Sequence, residues 1–212
     1  MTRNTLLTLA AAALVAAGCE KSAVVPEDTT LSAGEAALLA DEFDAMTYAV
    51  LGGALGLSPS FSAGGTEAPA AAAPVPIDVT FNRTHACPRG GSVTMSGTIK
   101  GEVDRAARSL TAETNATKTQ ASCAFPTRNG GTITVNGNPN IAIRSNQKIV
   151  GGAPSGPQTT TQKGGFTWKA SDGRSGSCTV DITSTFDPAA KTRTVKGTIC
   201  GRTVDVTRPL QR

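Results

Sequence analysis

Three hydrophobic regimes follow one another along the chain. From Leu6 to Ala17 every side chain except Thr8 is apolar, a run too short for a conventional membrane-spanning helix. After a polar stretch over 20–30, apolar residues recur at Leu39, Phe43, Met46 and Val50, spaced four, three and four. That is one stripe of an amphipathic helix. Ser32 and Glu35 stand just before it with the spacing of a capping box, the Ser32 hydroxyl accepting from the Glu35 amide and the Glu35 carboxylate from the Ser32 amide. Gly52 and Gly53 weaken the last turns and Pro59 forbids continuation. The pattern therefore predicts a helix over about 33–51, within a segment 31–57, with Asp41, Glu42 and Asp44 largely off its apolar stripe.

Residues 58–76 are Ala, Pro, Gly and Ser with almost no large side chain. Such a stretch cannot bury enough apolar surface to offset the entropy of ordering, and it reads as a linker. From Ile77 onward the period falls to two. Ile77, Val79 and Phe81 alternate with polar residues, and the pattern returns at Val93, Met95 and Ile99, at Ile133 and Val135, and at Ile141 and Ile143. Later runs are Phe166 with Trp168, Val180 with Ile182 and Phe186, Val195 with Ile199, and Val204 with Val206. Turn signals separate them at Pro88–Gly91, Asn129–Gly131, Asn136-Gly137, Gly151-Gly152, Asp172-Gly173 and Asp187-Pro188. Threonine fills many alternate positions, as suits a solvated strand face. The expectation is a mainly β domain over 77–212, an antiparallel sandwich or incomplete barrel of about eight to ten strands, preceded by one helix. Val93–Ile99 and Thr194–Ile199 resemble one another, with Ile133–Gly137 a weaker echo. Two diverged halves of one sheet and convergent strand composition both account for this.

Composition shows how thin the core is. From Pro76 to Arg212 there are 23 Leu, Ile, Val and Phe in 137 residues, a level at which disorder becomes a serious competitor. Alternation, turn spacing and cysteines oppose it. Cys87, Cys123, Cys178 and Cys200 allow three disulfide connectivities. The pairs nearest in sequence, Cys87–Cys123 and Cys178–Cys200, are the expected ones, each worth about 3–4 kcal/mol on the chain-entropy model. No Cys-x-x-Cys spacing occurs and the chain has a single histidine, His85, so neither a metal site nor a cofactor is expected.

The amino-terminal segment has the order of a secretory signal: Arg3, the apolar run, then small residues. Its end, Val15-Ala16-Ala17-Gly18-Cys19, resembles the lipobox of bacterial lipoproteins, with Ala16 where leucine is commonest. The resemblance covers only the first twenty residues or so. It implies cleavage before Cys19, acylation of that cysteine (palmitate among the chains) and an additional acyl group on the new amino terminus. Two or more chains anchor stably where one does not. Residues 1–18 are then a signal peptide and 19–30 a tether. The implied location is the bacterial cell envelope, with Glu20 consistent with an outer-membrane address on the periplasmic or surface face. Removing Cys19 leaves four cysteines, an even number for an oxidising compartment.

Charge divides the chain. Residues 19–75 carry Lys21 against eight acids, and residues 76–212 carry eighteen bases against eight acids. An anionic envelope component is one partner that such asymmetry fits. Nucleic acid is not expected, because Trp168 and four Phe sit mostly at core parity and leave few rings for stacking. The acidic helix packing on the basic sheet accounts for the same asymmetry, and a helix of this length is marginal in water without such packing. No catalytic motif survives inspection. Ser175, in Gly173-Arg174-Ser175-Gly176-Ser177, lacks the frame of a nucleophile elbow, and the Gly-rich stretches lack the helix and lysine of a phosphate loop. Asp172, Asp181 and Asp205 are isolated carboxylates. The expectation is a non-enzymatic, lipid-anchored envelope protein with a structural or interaction role. The alternative is a carrier or binder of an apolar ligand, with the helix as plug, by analogy with half-barrel periplasmic lipoprotein carriers.

Overall fold

The computed structural model describes residues 30–54 and 73–210. Cys19, the signal-like segment, most of the tether and most of the linker lie outside the described residues.

The helix, α1 (Ala33–Ala54), begins at the capping box. The Ser32 amide donates to Glu35 at 2.8 Å and the Glu35 amide to the Ser32 hydroxyl at 3.2 Å, satisfying two of the donors a helix start leaves open. The helix runs through Gly52 and Gly53, three residues beyond the expected end. Leu39, Phe43, Met46 and Val50 are buried, as are Leu31, Ala36, Ala40 and Leu51.

The rest is mainly β, as the alternation predicts. The strands are β1 (Val75–Ala86), β2 (Ser92–Asp104), β3 (Ser109–Ala121), β4 (Cys123–Pro126), β5 (Thr132–Val150), β6 (Ala153–Pro154), β7 (Gln158–Ala170), β8 (Ser175–Asp187), β9 (Thr192–Ile199) and β10 (Arg202–Pro209). They form one antiparallel sheet in the order β1-β2-β3-β5-β7-β8-β9-β10, with β4 and β6 also paired to β5. Edge strands β1 and β10 do not pair, so the sheet does not close into a barrel. Helix α1 contacts β1, β9 and β10, which places it across the concave side, near both edges.

Two features depart from the pattern-based expectation. The stretch Ser109–Ala121 has one large aliphatic residue, Leu110, and its alternation is invisible to a hydrophobic count, yet it forms a full central strand. Asn136-Gly137 is not a turn: β5 continues for 19 residues, with a register shift between Gly137 and Ile141. The Asn136 side chain instead accepts the Ser122 amide at 2.7 Å. Ser122, at φ 49°, is where the chain breaks from β3 into β4.

The likeness between Val93–Ile99 and Thr194–Ile199 has a mechanical counterpart. Each lies in the strand next to an edge, and each places a glycine where strands approach too closely for a side chain. A Cβ at Gly97 would stand 2.2 Å from the Asn115 carbonyl oxygen, and one at Gly197, where φ is +138°, 2.1 Å from that of Asp181. Both glycines share the inward parity of their strands, so their missing side chains let the sheet bend around the helix.

Cys87 bonds Cys123 and Cys178 bonds Cys200, with Cα–Cα distances of 5.4 and 4.6 Å. Both lie at the end of the sheet formed by the β1–β2, β4–β5, β7–β8 and β9–β10 turns. Replacing Cys87 and Cys123 together by alanine is expected to lower stability by about 3–4 kcal/mol, since the bond closes a long loop in the unfolded chain. Urea unfolding of parent and double variant at neutral pH checks this; an unchanged midpoint would contradict it.

Candidate functional site

The concave face is split into two bands. Toward the disulfide end most inward residues are apolar: Val93, Met95, Ile133, Val135, Phe166, Trp168 and Val180 are all buried, with Gln120 and Lys118 of β3 opposite Val93 and Met95. Toward the opposite end the register aligns Thr114, Ser145, Thr160 and Ser184 across β3, β5, β7 and β8. These four hydroxyls are no more than 3% exposed. Ser145 and Thr160 share a hydrogen bond of 2.8 Å. The expectation that polar alternates face solvent therefore fails over this half of the sheet.

Lys118 is buried within the apolar band, opposite Met95 on one side and Ile141 on the other. Its ammonium donates to the Phe43 carbonyl at 3.2 Å, to Thr47 Oγ1 at 3.2 Å and to Gln162 Oε1, and stands 4.7 Å from the Phe43 ring centroid. Thr47 also donates to the Phe43 carbonyl at 2.7 Å. The Phe43 ring meets Phe125 and Phe166 edge-on, with centroids 6.0 and 5.2 Å away. One helix residue thus anchors the apolar band with its ring and holds the buried Lys118 with its carbonyl. Burial pushes the Lys118 ammonium down to about 7, with Asp44 opposing the fall. Desolvation disfavours the charged form of any amine enclosed in this way.

Asp44, expected off the stripe, is fully buried. It accepts from the Ser184 hydroxyl and pairs with Arg193 Nε at 2.5 Å. Burial raises its pKa, while Ser184, Arg193 and Lys118 act in the other direction. Arg193 also stands 5.4 Å from the Tyr48 ring centroid and 3.9 Å from Asp41, which Arg208 reaches at 2.7 Å. At the helix start Arg174 binds Glu35 at 2.5 Å and Asp172 at 2.7 Å, and holds the Glu35 carboxyl below its usual range. Arg202 donates to the Leu31 carbonyl at 3.2 Å. The charge asymmetry of the sequence is thus partly spent in helix–sheet pairs. Among the described residues Thr114 Oγ1, both amide atoms of Gln120, Gln147 Oε1 and Gln162 Nε2 are buried without a hydrogen-bond partner, each a costly group in an interior.

The other residues singled out in the sequence do not converge on this chamber. His85 is exposed near the end of β1, and Ser175 is exposed at the start of β8. Asp181 pairs with Lys163 at 2.8 Å and Asp205 with Lys196 at 3.0 Å, all four side chains exposed. Among the described residues no group of His, Cys, Asp and Glu could hold a metal ion. A cleft of about 110 Å³ opens where Leu38, Asp41 and Glu42 of the helix face Val206, Arg208 and Arg128. Burial and the neighbouring Asp41 raise the Glu42 pKa. The polar chamber was legible in one way only: parity carried on from Leu110 and Ala112 puts Thr114, Lys118 and Gln120 on the inner face.

Lys118 generates a pH prediction. Its pKa is depressed in the folded state, so the unfolded chain binds more protons between about pH 7 and 10, and stability rises with pH over that window. Replacing it by methionine removes the buried charge while Thr47 still serves the Phe43 carbonyl. Lys118→Met is expected to flatten the profile: relative to the variant, the parent gains about 1.4 kcal/mol per pH unit over this window. Urea unfolding of both proteins across this range measures it; parallel pH profiles would count against the assignment.

Comparison of the chain with protein-family models, with curated proteins and with solved structures finds no match.

Proposed function

We propose that this chain is a lipid-anchored protein of the bacterial cell envelope, held to a membrane by acyl chains on Cys19, whose β body has a structural or interaction role. One observation carries the reading. The four cysteines of the body bond to one another, so none of them pairs with the fifth, Cys19, which stands where the lipobox-like segment ends. Two disulfides also suit an oxidising compartment. A non-catalytic role agrees with the ionisable groups: the one with the most altered basicity among the lysines, Lys118, is sealed beneath α1, and the exposed carboxylates of β8 and β10 sit in separate pairs on the outer face. Metabolic labelling with a palmitate analogue is expected to mark the parent and not Cys19→Ser, and Cys19→Ser is expected to leave the membrane fraction. Label retained by the variant, or an unlabelled parent recovered in soluble form, overturns the anchor.

The inner hydroxyl row favours a second reading, a carrier of an amphiphilic ligand with α1 as plug. A sheet that only had to bury a helix would do so at lower cost with apolar side chains than with Thr114, Gln120, Gln147 and Gln162 left short of partners. A ligand with an apolar tail and a polar head would match both bands. Native mass spectrometry of the Cys19→Ser protein from its own host is expected to show a bound mass of lipid size, lost on mild activation. A spectrum of the bare chain alone rejects the carrier.

A further inference from the structure

The two ends of the sheet differ in charge. At the end holding both disulfides, Arg83, Arg89, Arg128, Lys169 and Arg202 are exposed, and none forms an ion pair among the described residues. Glu35 and Asp172 at this end are both bound to Arg174, and Glu42 shares a cleft with Arg128 without an ion pair between them among the described residues. The opposite end carries Arg105, Arg108, Lys148 and Lys191 together with Glu102, Asp104 and Asp187, so the charges there nearly balance. Asp104 and Asp187 accept amides of their own turns, from Ala107 and from Ala189 and Ala190.

The chain enters the body at the basic end. Arg174 donates to the Thr30 carbonyl and Arg202 to the Leu31 carbonyl, so the last residues before the helix are held against this rim. Cys19 lies eleven residues before Thr30, a separation that spans at most ~40 Å when extended. An anchor at Cys19 therefore keeps this end, rather than the balanced one, within reach of a bilayer. The tether carries Glu20, Lys21, Glu27 and Asp28 and does not itself supply attraction to an anionic surface.

We propose that the basic rim around the helix start docks on the anionic headgroups of the membrane that carries the protein, setting the body upright on its disulfide end. The inference rests on the anchor reading for its geometry, but its chemistry is separable: the exposed cations of the rim recognise clustered phosphates whether or not an acyl chain is present. Juxtamembrane basic residues typically contribute about a fivefold gain in partitioning each, screened by salt.

The test uses the secreted form carrying Cys19→Ser, which keeps every residue after the signal-like segment and lacks the thiol for acylation. It is mixed with vesicles of phosphatidylcholine alone or with one-third phosphatidylglycerol, and flotation is measured at low and high salt. Binding is expected only to the anionic vesicles and only at low salt. Arg89→Glu with Lys169→Glu, both exposed positions at the rim, is expected to cut it at least about 25-fold, two fivefold steps. Arg105→Glu with Lys148→Glu, at the other end, is expected to change it less than about threefold. Circular dichroism of all three forms checks that the fold is kept. Equal binding to both vesicle types, or equal loss from both charge reversals, overturns the docking face. Failure of palmitate labelling overturns the anchor instead, so the two readings fall to different results.

Discussion

Seating α1 in the concave side of the sheet is the contact on which the remaining structure depends. A helix of this length is marginal in water by itself, and a sheet with so few large aliphatic residues has too little to bury on its own. Brought together, Leu39, Phe43, Met46, Val50 and Leu51 become buried against Phe125, Phe166 and the aliphatic residues of the central strands. Full burial of each such side chain contributes about 1.5–3 kcal/mol. The shortage of apolar residues in the β segment is thus resolved by importing a hydrophobic stripe from a separate part of the sequence. The bends at Gly97 and Gly197 serve the same end, because a flat sheet would meet the helix along one line only.

The same contact carries an unusual polar load. Lys118, Asp44, Arg193 and the hydroxyl row place charge and hydrogen-bonding groups where packing alone asks for methyls. Breaking one member of such a set leaves the others unpaired in a low-dielectric interior, which costs more than the set contributes when whole. Its effect is on placement more than on net stability. Asp44 meets Ser184 and Arg193 in one helix register, and the Phe43 carbonyl meets Lys118 in the same one. A slide of α1 by one turn would keep apolar residues in contact yet strand both charges. The polar band therefore selects among helix positions that the apolar band would nearly tolerate.

How much of this was legible in the sequence follows from where alternation is written in apolar residues. Strands carrying pairs such as Val93 and Met95, or Phe166 and Trp168, announce themselves, and so does the capped helix. Strand β3 does not, because its inward positions after Ala112 are Thr114, Ala116, Lys118 and Gln120, which read as surface in a hydrophobic count. Asn136-Gly137 was misleading for the converse reason: the pair has turn chemistry, but the strands on both sides share the partner β7, and a bulge absorbs the irregularity. Asp44 was placed largely off the apolar stripe, yet it is fully buried one residue beyond Phe43, because Ser184 and Arg193 of distant strands receive its carboxylate. Each miss is a polar residue whose neighbours, supplied by distant strands, outweigh its local preference.

The disulfides fit into this picture through their placement. Both lie at the end where the helix enters and where Glu35, Arg174 and Arg202 fix its first turn, while the opposite end has only turns and surface charges to close it. Cross-links act chiefly on the unfolded ensemble, but their position also decides which part of the native body opens first: local opening draws on segments with few constraints. Cys87–Cys123 ties β1 to β4 beside Met46, and Cys178–Cys200 ties β8 to the end of β9, so strands from both sides of the sheet are braced at this end. The unbraced end holds the hydroxyl row, where opening would readmit water to buried polar groups. Rigidity is thereby concentrated at the end from which the chain leads back to Cys19, and the capacity to open lies at the far end, over the polar half of the interior.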